Sequence, residues 1–445
     1  MMKKSLLSLA LISSLAYAQE EFDPLEEFDD GGFEEVAVEK TAPKEVKKEN
    51  KLSLNGNVAF KTAYAYKDHS VSGIDYNTLT QTQSTLFLQL DYKLPKKFKF
   101  RMSVDGSYDA IYDLRDSDFS DDILDAYQKE IRLGDTYVEG AVSENIDIKV
   151  GRQIVIWGKS DSIRITDVLN PLDNRNPGLT DIEDLRLPIG MIKSDYYVGD
   201  WDLSAMVILE SRIAEERPLP SEFFPLPLSL SDIEEPDNSV ENFSYALSAN
   251  GEFSGWDLSF YGATNILDQR WHIEDRTKRV VGRIDMAGSA VNIAYGSWLV
   301  KSEVAYLSGL KYNSTLDEKN RLDSLIGFDY MGIKDTVISV EVASRYILDY
   351  ESQMLEKDSV DENDVQTALR YSQTFMNDTL DFTALLSVFG SSWENGGFSR
   401  VWFEYDIADA LTTNFGVVDY IGGNKTLMEA VKDNDRIFAD IKYSF

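Results

Sequence analysis

The sequence predicts an all-β fold, a transmembrane antiparallel up-and-down β-barrel of about 18 strands, with 16 as the competing count. Three observations predict it. From Lys51 onward apolar and polar residues alternate with period two, and short connections alternate with long polar ones between the strand-like runs. The third is that no uninterrupted apolar run reaches the ~18 residues needed to cross a bilayer as a helix.

The alternation is clearest from Lys97 to Ala110. Phe98, Phe100, Met102, Val104, Tyr108 and Ala110 share one face with Gly106, and Lys97, Lys99, Arg101, Ser103, Asp105, Ser107 and Asp109 share the other. A soluble sandwich would turn the apolar face inward, whereas a membrane barrel turns it toward lipid and lines its lumen with the charged face. Loop lengths separate the two cases, because membrane barrels join strands by tight turns at one end and longer loops at the other.

Short connections fall near Leu94-Pro95, Ser143-Glu144, Gly199-Asp200, Ser254-Gly255, Gly296-Ser297, Gly332 to Lys334, Met376 to Asp378 and Ile407 to Ala410. Long polar ones fall near 68–80, 112–128, 157–187, 212–240, 266–280, 311–319, 350–362 and 422–432, with a shorter one near 391–396. An even strand count puts both ends of the barrel on the periplasmic side and the long loops outside. Tyr64, Tyr66, Trp201, Trp256, Trp298, Tyr346, Tyr350, Trp402, Phe403 and Tyr405 lie near strand ends, where aromatic girdles form at the two interfaces.

The two ends of the chain agree with export. Lys3 and Lys4 precede an apolar run from Leu6 to Leu15 and then Ala16-Tyr17-Ala18, which reads as a secretory signal peptide over 1–18. Residues 19–50, acidic and then lysine-rich, read as a disordered periplasmic tail. Phe22, Leu25, Phe28 and Phe33 within it would be the contacts if it docked a periplasmic partner. The last strand, Ile437 to Phe445, alternates apolar with mostly polar residues and closes on Tyr443 and Phe445. That ending resembles the signal by which Gram-negative outer-membrane barrels are recognised by the barrel-assembly machinery. The resemblance implies an outer-membrane location, with membrane lipid and lipopolysaccharide as surroundings.

Composition narrows the function. The 445 residues include 23 Tyr, 22 Phe and 7 Trp but no Cys, so a closed hydrogen-bonded sheet must supply the stability that disulfides give many secreted proteins. With 77 acidic against 44 basic side chains, a nucleic-acid partner is excluded on charge. No cofactor is expected, since no glycine loop leads from a strand into a helix to cradle phosphate. No metal site is expected either: there is no histidine pair at ligand spacing, and Asp116, Asp118, Asp121, Asp122 and Asp125 lack the glycine and terminal glutamate of a calcium loop. His69 and His272 are the only histidines, both in expected outer loops. Asp68-His69-Ser70 are sequence neighbours rather than a triad, so no enzymatic activity is expected.

A second distinctive stretch runs from Val150 to Pro188. A strand-like run is followed by Trp157-Gly158 and a loop containing Asn170-Pro171, Asn176-Pro177 and Leu187-Pro188. Gly151, Arg152, Gln153, Trp157, Gly158, Asp167, Leu169, Asn170, Pro171 and Asp173 resemble the motif of the outer-membrane barrel family DUF1302 and, more loosely, of porin-like barrels. The chain departs from that pattern in Lys159-Ser160 after Trp-Gly and in the segment Asp181 to Pro188.

The loop mixes Ile163, Ile165, Val168, Leu169, Leu172 and Leu179 with many charges, so it belongs inside the barrel mouth rather than in open water. There Trp157, Arg164, Asp167, Asn170, Asp173, Arg175, Glu183, Asp184 and Arg186 would form a constriction. Their charges would either set a transverse field or satisfy one another and pin the loop. By parity, the lumen is lined by Arg101, Asp105, Asp109, Lys301, Glu303, Glu341, Arg345, Arg370, Arg400, Glu404, Asp440 and Lys442. Arg152 breaks parity, and a bulge at Gly151 would return it to the lumen. The expected function is a porin-like channel for passive passage of small polar or amphiphilic solutes, gated by the loop 157–187. The alternatives are an accessory of an envelope lipid or solute export system, or a closed receptor or structural barrel.

Overall fold

The computed structural model describes residues 51–445, apart from 227, 229 and 276. The signal peptide expected over 1–18 and the tail expected over 19–50 lie outside the described residues.

Eighteen strands build the barrel: β1 (Leu52–Ala65), β2 (Leu79–Lys93), β3 (Phe98–Asp109), β4 (Lys129–Ala141), β5 (Ile146–Gln153), β6 (Ile189–Val198), β7 (Trp201–Ile208), β8 (Ser244–Phe253) and β9 (Trp256–Asp275). They continue with β10 (Lys278–Tyr295), β11 (Trp298–Tyr312), β12 (Thr315–Tyr330), β13 (Thr336–Leu348), β14 (Asn363–Phe375), β15 (Leu380–Phe389), β16 (Gly397–Ala408), β17 (Leu411–Ile421) and β18 (Arg436–Ser444). Each pairs antiparallel with the next, and β1 pairs with β18 from Asn57/Ser444 to Ala65/Arg436, which closes the sheet. Closure satisfies the backbone of every strand within the wall, as a hydrocarbon surround demands.

The register puts the apolar residues outside. Val58, Phe60, Leu86, Met102, Val150, Ile192, Leu247, Phe260, Val304, Ile326, Val342, Phe403 and Ile441 are exposed on the outer face, an arrangement a water-soluble barrel would not tolerate. Inward positions between them carry the charged side chains. Tight turns at one end separate β2 from β3, β4 from β5, β6 from β7, and so on around the ring, where the short connections were expected.

The structure corrects four expectations. Residues expected as long loops near 266–280 and 311–319 are strand: β9 and β10 run on to Asp275 and Lys278, and β11 and β12 to Tyr312 and Thr315. Their polar composition reflects strands that outgrow the apolar belt, and the register shifts along β9 between Ala263 and Ile266 and between Leu267 and Trp271. Gly151 makes no bulge, since β4 and β5 pair without interruption from Thr136/Arg152 to Ala141/Asp147. Arg152 keeps its parity and is answered instead by an ion pair with Glu210. Trp402 is no girdle residue: it shares the parity of Arg400 and Glu404 and is buried on the lumen side with the Arg400 guanidinium 4.2 Å above its ring.

Candidate functional site: a loop pinned inside the barrel

Between β5 and β6 the chain turns into the lumen, and the residues of the distinctive stretch are the ones that hold it there. At the end of β5, Gln153 is buried and donates to the Met191 carbonyl (3.4 Å). Gly151 sits at φ +132°, and a Cβ there would fall 2.2 Å from the Thr136 carbonyl oxygen, so the position takes only glycine. Trp157 is buried and stacks on Tyr261 of β9 at 4.8 Å between ring centroids. It carries Ile163, Ile165 and Leu169 against Met191, Met206, Ile284, Met286, Ala305, Leu307, Leu325 and Ala343, a core on the inner side of the wall.

Two wall carboxylates receive the loop's backbone. Glu303 of β11 accepts the N–H groups of Lys159 (2.5 Å), Ser160 (2.8 Å) and Thr166 (3.2 Å) and the Thr166 hydroxyl (2.8 Å). Glu341 of β13 accepts those of Asp161 (2.8 Å), Ser162 (3.0 Å) and Ile163 (3.1 Å). Peptide N–H groups that a loop in the lumen would otherwise leave unpaired are thereby answered by charged acceptors, the stronger kind of hydrogen bond. Gly158, at φ +91°, makes the close approach possible, because a Cβ there would meet both Glu303 carboxylate oxygens at 2.8 Å. Lys301 lies between Asp161 and Asp329 and completes the fastening. Glu303 and Glu341 are only 2% and 1% exposed and Lys301 is buried too, so all three point inward but lie beneath the loop.

The return of the loop is equally tied. Asn170 is fully buried, accepts the Val155 N–H (2.9 Å) and donates to the Leu187 (2.9 Å) and Gln153 (3.3 Å) carbonyls, joining both ends of the loop. Asp167 pairs with Arg164 (2.9 Å) and Arg186 (2.7 Å). Arg175 bridges Asp173 (2.6 Å), Glu130 (2.8 Å) and Glu215 (2.9 Å), and Arg132 of β4 adds to Asp173 (3.3 Å). Asp181 reaches Arg400 of β16 (2.8 Å). Most of the loop's charges are thus spent on one another and on the wall. Glu183 instead lines open space beside the loop, and Asp184 lies near Asp181 in the same stretch.

Other lumen candidates divide in the same way. Arg101 is held by Asp91 through two bonds (2.7 and 2.9 Å), and Asp109 accepts the Thr82 and Ile111 N–H groups at the start of a short helix, Ile111–Leu114. Glu404 and Lys442 face the lumen toward its turn end, Asp105 faces it toward the long-loop end opposite Arg132, and Asp440 lies opposite Lys61 across the β1–β18 seam. Arg345 donates only to Gln366 Oε1 (3.1 Å) and the Arg164 carbonyl (3.3 Å), and Arg370 only to the Ser372 hydroxyl (3.3 Å). Among the described residues neither forms an ion pair at contact distance, although Asp323 and Asp364 stand cross-strand from Arg345 and act on its charge. Tyr443 and Phe445 lie on the outer face, with the Phe445 carbonyl accepting the Gly56 N–H (2.9 Å).

Space remains between the loop and the wall β12–β16. A cavity of about 450 Å³ is lined by Arg164, Arg270, Arg321, Arg345 and Asp364 among others. A second, of about 420 Å³, is lined by Asp161, Asp181, Glu183, Arg370, Leu385, Phe398 and Arg400. Gln366 and Phe389 line both, so the two cavities lie side by side there.

Sequence reasoning missed the second inward loop. The connection 209–243, of which 212–240 was expected as an ordinary outer loop, crosses to the opposite wall: Glu215 exchanges backbone bonds with Leu172 and Asn174 (2.9 and 2.8 Å), and Phe223 is buried among Ala63, Val418, Tyr420 and Phe438. Glu222 pairs with Arg436 (2.7 Å) and lies 3.5 Å from His69. Burial works against a charged Glu222, yet the Arg436 guanidinium and the His69 ring outweigh it and hold the carboxyl below its usual range. The apolar run Phe223, Phe224, Leu226 and Leu228 inside a polar loop was the signal for this.

A closed 18-strand antiparallel barrel, apolar outside and charged inside, with a long loop folded into its lumen, defines the outer-membrane porin class of fold. The chain belongs to the family DUF1302, a protein family of unknown function, whose model matches residues 5–445. Solved structures share the fold. Acinetobacter baumannii OccAB1 aligns at a TM-score of 0.53 and 11% identity over 88% of this chain and 96% of its own. The outer membrane protein opdK of Pseudomonas aeruginosa aligns at 0.51 and 10% over 88% and 98%. OccD3 (OpdP) of Pseudomonas aeruginosa aligns at 0.52 and 10% over 89% and 91%. No curated protein matches the chain in sequence.

Proposed function

We propose that the protein is a passive channel of the outer membrane of a Gram-negative bacterium, for small polar or amphiphilic solutes. The loop 157–187 sets its bore, and solute passes between that loop and the wall β12–β16. The observation that carries this reading is the pair of adjacent cavities, sharing Gln366 and Phe389 in their linings, beside a loop fastened at Glu303, Glu341, Asp167 and Asn170. Fastening of that kind makes the loop a fixed constriction rather than a swinging gate.

The lining favours solutes of mixed character. Leu385, Phe389 and Phe398 offer apolar surface between Arg345, Arg370 and Arg400, while Asp161, Asp181 and Glu183 face them from the loop. Charges of opposite sign across a narrow, poorly hydrated gap orient a polar solute. Because Arg370 makes no ion pair and Arg345 touches neither of its cross-strand neighbours Asp323 and Asp364, a solute bearing an anionic group gains most at the neck. The test is single-channel conductance of the refolded barrel in a planar bilayer beside a variant lacking residues 160–185. Ohmic steps that grow in the variant are expected; closed bilayers with both folded proteins would overturn the reading.

A further inference from the structure

The two inward loops divide the mouth, and only one side of the division holds the cavities described above. On the other side, an opening of about 780 Å³ lies between Asp122, Glu130, Arg152 and the second loop at 210–219, and next to it, toward β1–β4 and β18, the space at the loop's tip shrinks to about 70 Å³, enclosed by Tyr76, Tyr112, Tyr127, Arg175, Phe223 and Arg436. The tip of the second loop fills it. Ser221 and Phe224 exchange both backbone hydrogen bonds at 3.0 Å, so the tip is a closed four-residue hairpin, and its two central residues do the fastening. Phe223 enters the wall cluster, with the Arg436 guanidinium 4.5 Å above its ring and Tyr420 at 6.0 Å between centroids. Glu222 places its carboxylate on Arg436 and its carbonyl on the Asn434 amide (2.8 Å).

Below the tip the wall is not built as sealed core. Inward positions of β1, β2, β3 and β18 carry Lys61, which is exposed, and Gln83, Asp105, Asp440 and Lys442, which are only partly buried, as on a surface that meets water. A polar wall leading up to one apolar plug is the arrangement of a conduit closed at a single place. We propose that the hairpin Ser221–Phe224 is a plug closing a second lane of this barrel, held by the Glu222–Arg436 ion pair and the seat of Phe223, and that lifting it opens the lane along β1–β4. Attachment explains why one short hairpin suffices. Glu222 and Arg436 are both withdrawn from water and need each other, so the closed state is favoured until the pair is broken or replaced.

The chain has no cysteine, so a single Ser107→Cys, lining the small space beneath the tip, reports on the plug without background. Its labelling by a bulky maleimide added from the long-loop side is measured together with conductance, in the parent and in Glu222→Ala and Phe223→Ala. Faster labelling and a second, higher conductance level are expected in both variants. Phe223→Ala keeps the ion pair and carries the test if Glu222→Ala does not fold. Unchanged labelling and conductance in a folded Phe223→Ala barrel would overturn the plug. A parent barrel that does not conduct would overturn the channel reading instead, and labelling would still decide the plug.

Discussion

Replacing Glu303 with alanine tests the central mechanical claim, that one wall carboxylate holds the constriction. The side chain accepts four hydrogen bonds from the loop, three from peptide N–H groups and one from a hydroxyl. A bond to a charged acceptor contributes roughly 1.5–3 kcal/mol net, and water entering the vacated space recovers part of the loss, leaving about 5 kcal/mol. At 1.36 kcal/mol per decade, that lowers the docked-to-undocked equilibrium constant of residues 158–166 by a factor of about 10³ to 10⁴. The barrel itself should survive, because its strand ladder does not pass through this side chain. The variant should therefore migrate as a heat-modifiable folded barrel, conduct more current with more noise, and become sensitive to trypsin after Lys159 and Arg164. Glu303→Gln should fall between, since the carboxamide offers one acceptor oxygen and turns an NH₂ toward loop N–H groups. An alanine variant with parental conductance and uncut loop would refute the claim that Glu303 sets the bore.

Two further outcomes follow from the same geometry. Asp167→Ala leaves Arg164 and Arg186 buried without their shared counter-charge, a change that costs about 3–5 kcal/mol, and should appear as a lower thermal midpoint and as trypsin cleavage after Arg186. Arg345→Gln with Arg370→Gln removes the two neck guanidinium groups that make no ion pair at contact distance, and should move the reversal potential in a salt gradient toward cations; no shift would place the selective charges elsewhere.

The barrel was legible because period two and loop length are local signals. The strand pattern of 97–110 and the eight tight turns need no knowledge of what lies across the lumen. The exceptions were also local: 266–280 and 311–319 read as loops because polar strand tips beyond the membrane lack the apolar alternation that marks a lipid-facing strand. Parity found which side chains turn inward, as for Glu303, Glu341 and Arg345, but not what they meet there. Whether an inward carboxylate faces water or three peptide N–H groups depends on residues some 140 positions away for Glu303 and 180 for Glu341. Trp402 shows the same limit in reverse, since an aromatic near a strand end is a girdle residue on one face and a cation platform on the other. The seat of Phe223 joins β1, β17 and β18 to a loop more than 150 positions away in sequence, which no window along the chain can see.

The division of labour among these residues bears on what the family resemblance means. Gly151, Gln153, Trp157, Gly158, Asp167 and Asn170 either bind loop to wall or allow the approach that binding needs. Of the six only Asp167 also lines one of the two cavities, and the residues that would face solute across the neck of the proposed channel, Arg345, Gln366, Arg370, Leu385, Phe389 and Phe398, lie outside the motif. A chain can therefore carry the motif intact and still present a different wall to solute. The motif marks where the constriction is and how it is held, whereas solute preference must be read from the inward positions of β13–β16. Exchanging those wall residues should change selectivity while leaving the loop protected from protease, and changes in the motif should do the opposite.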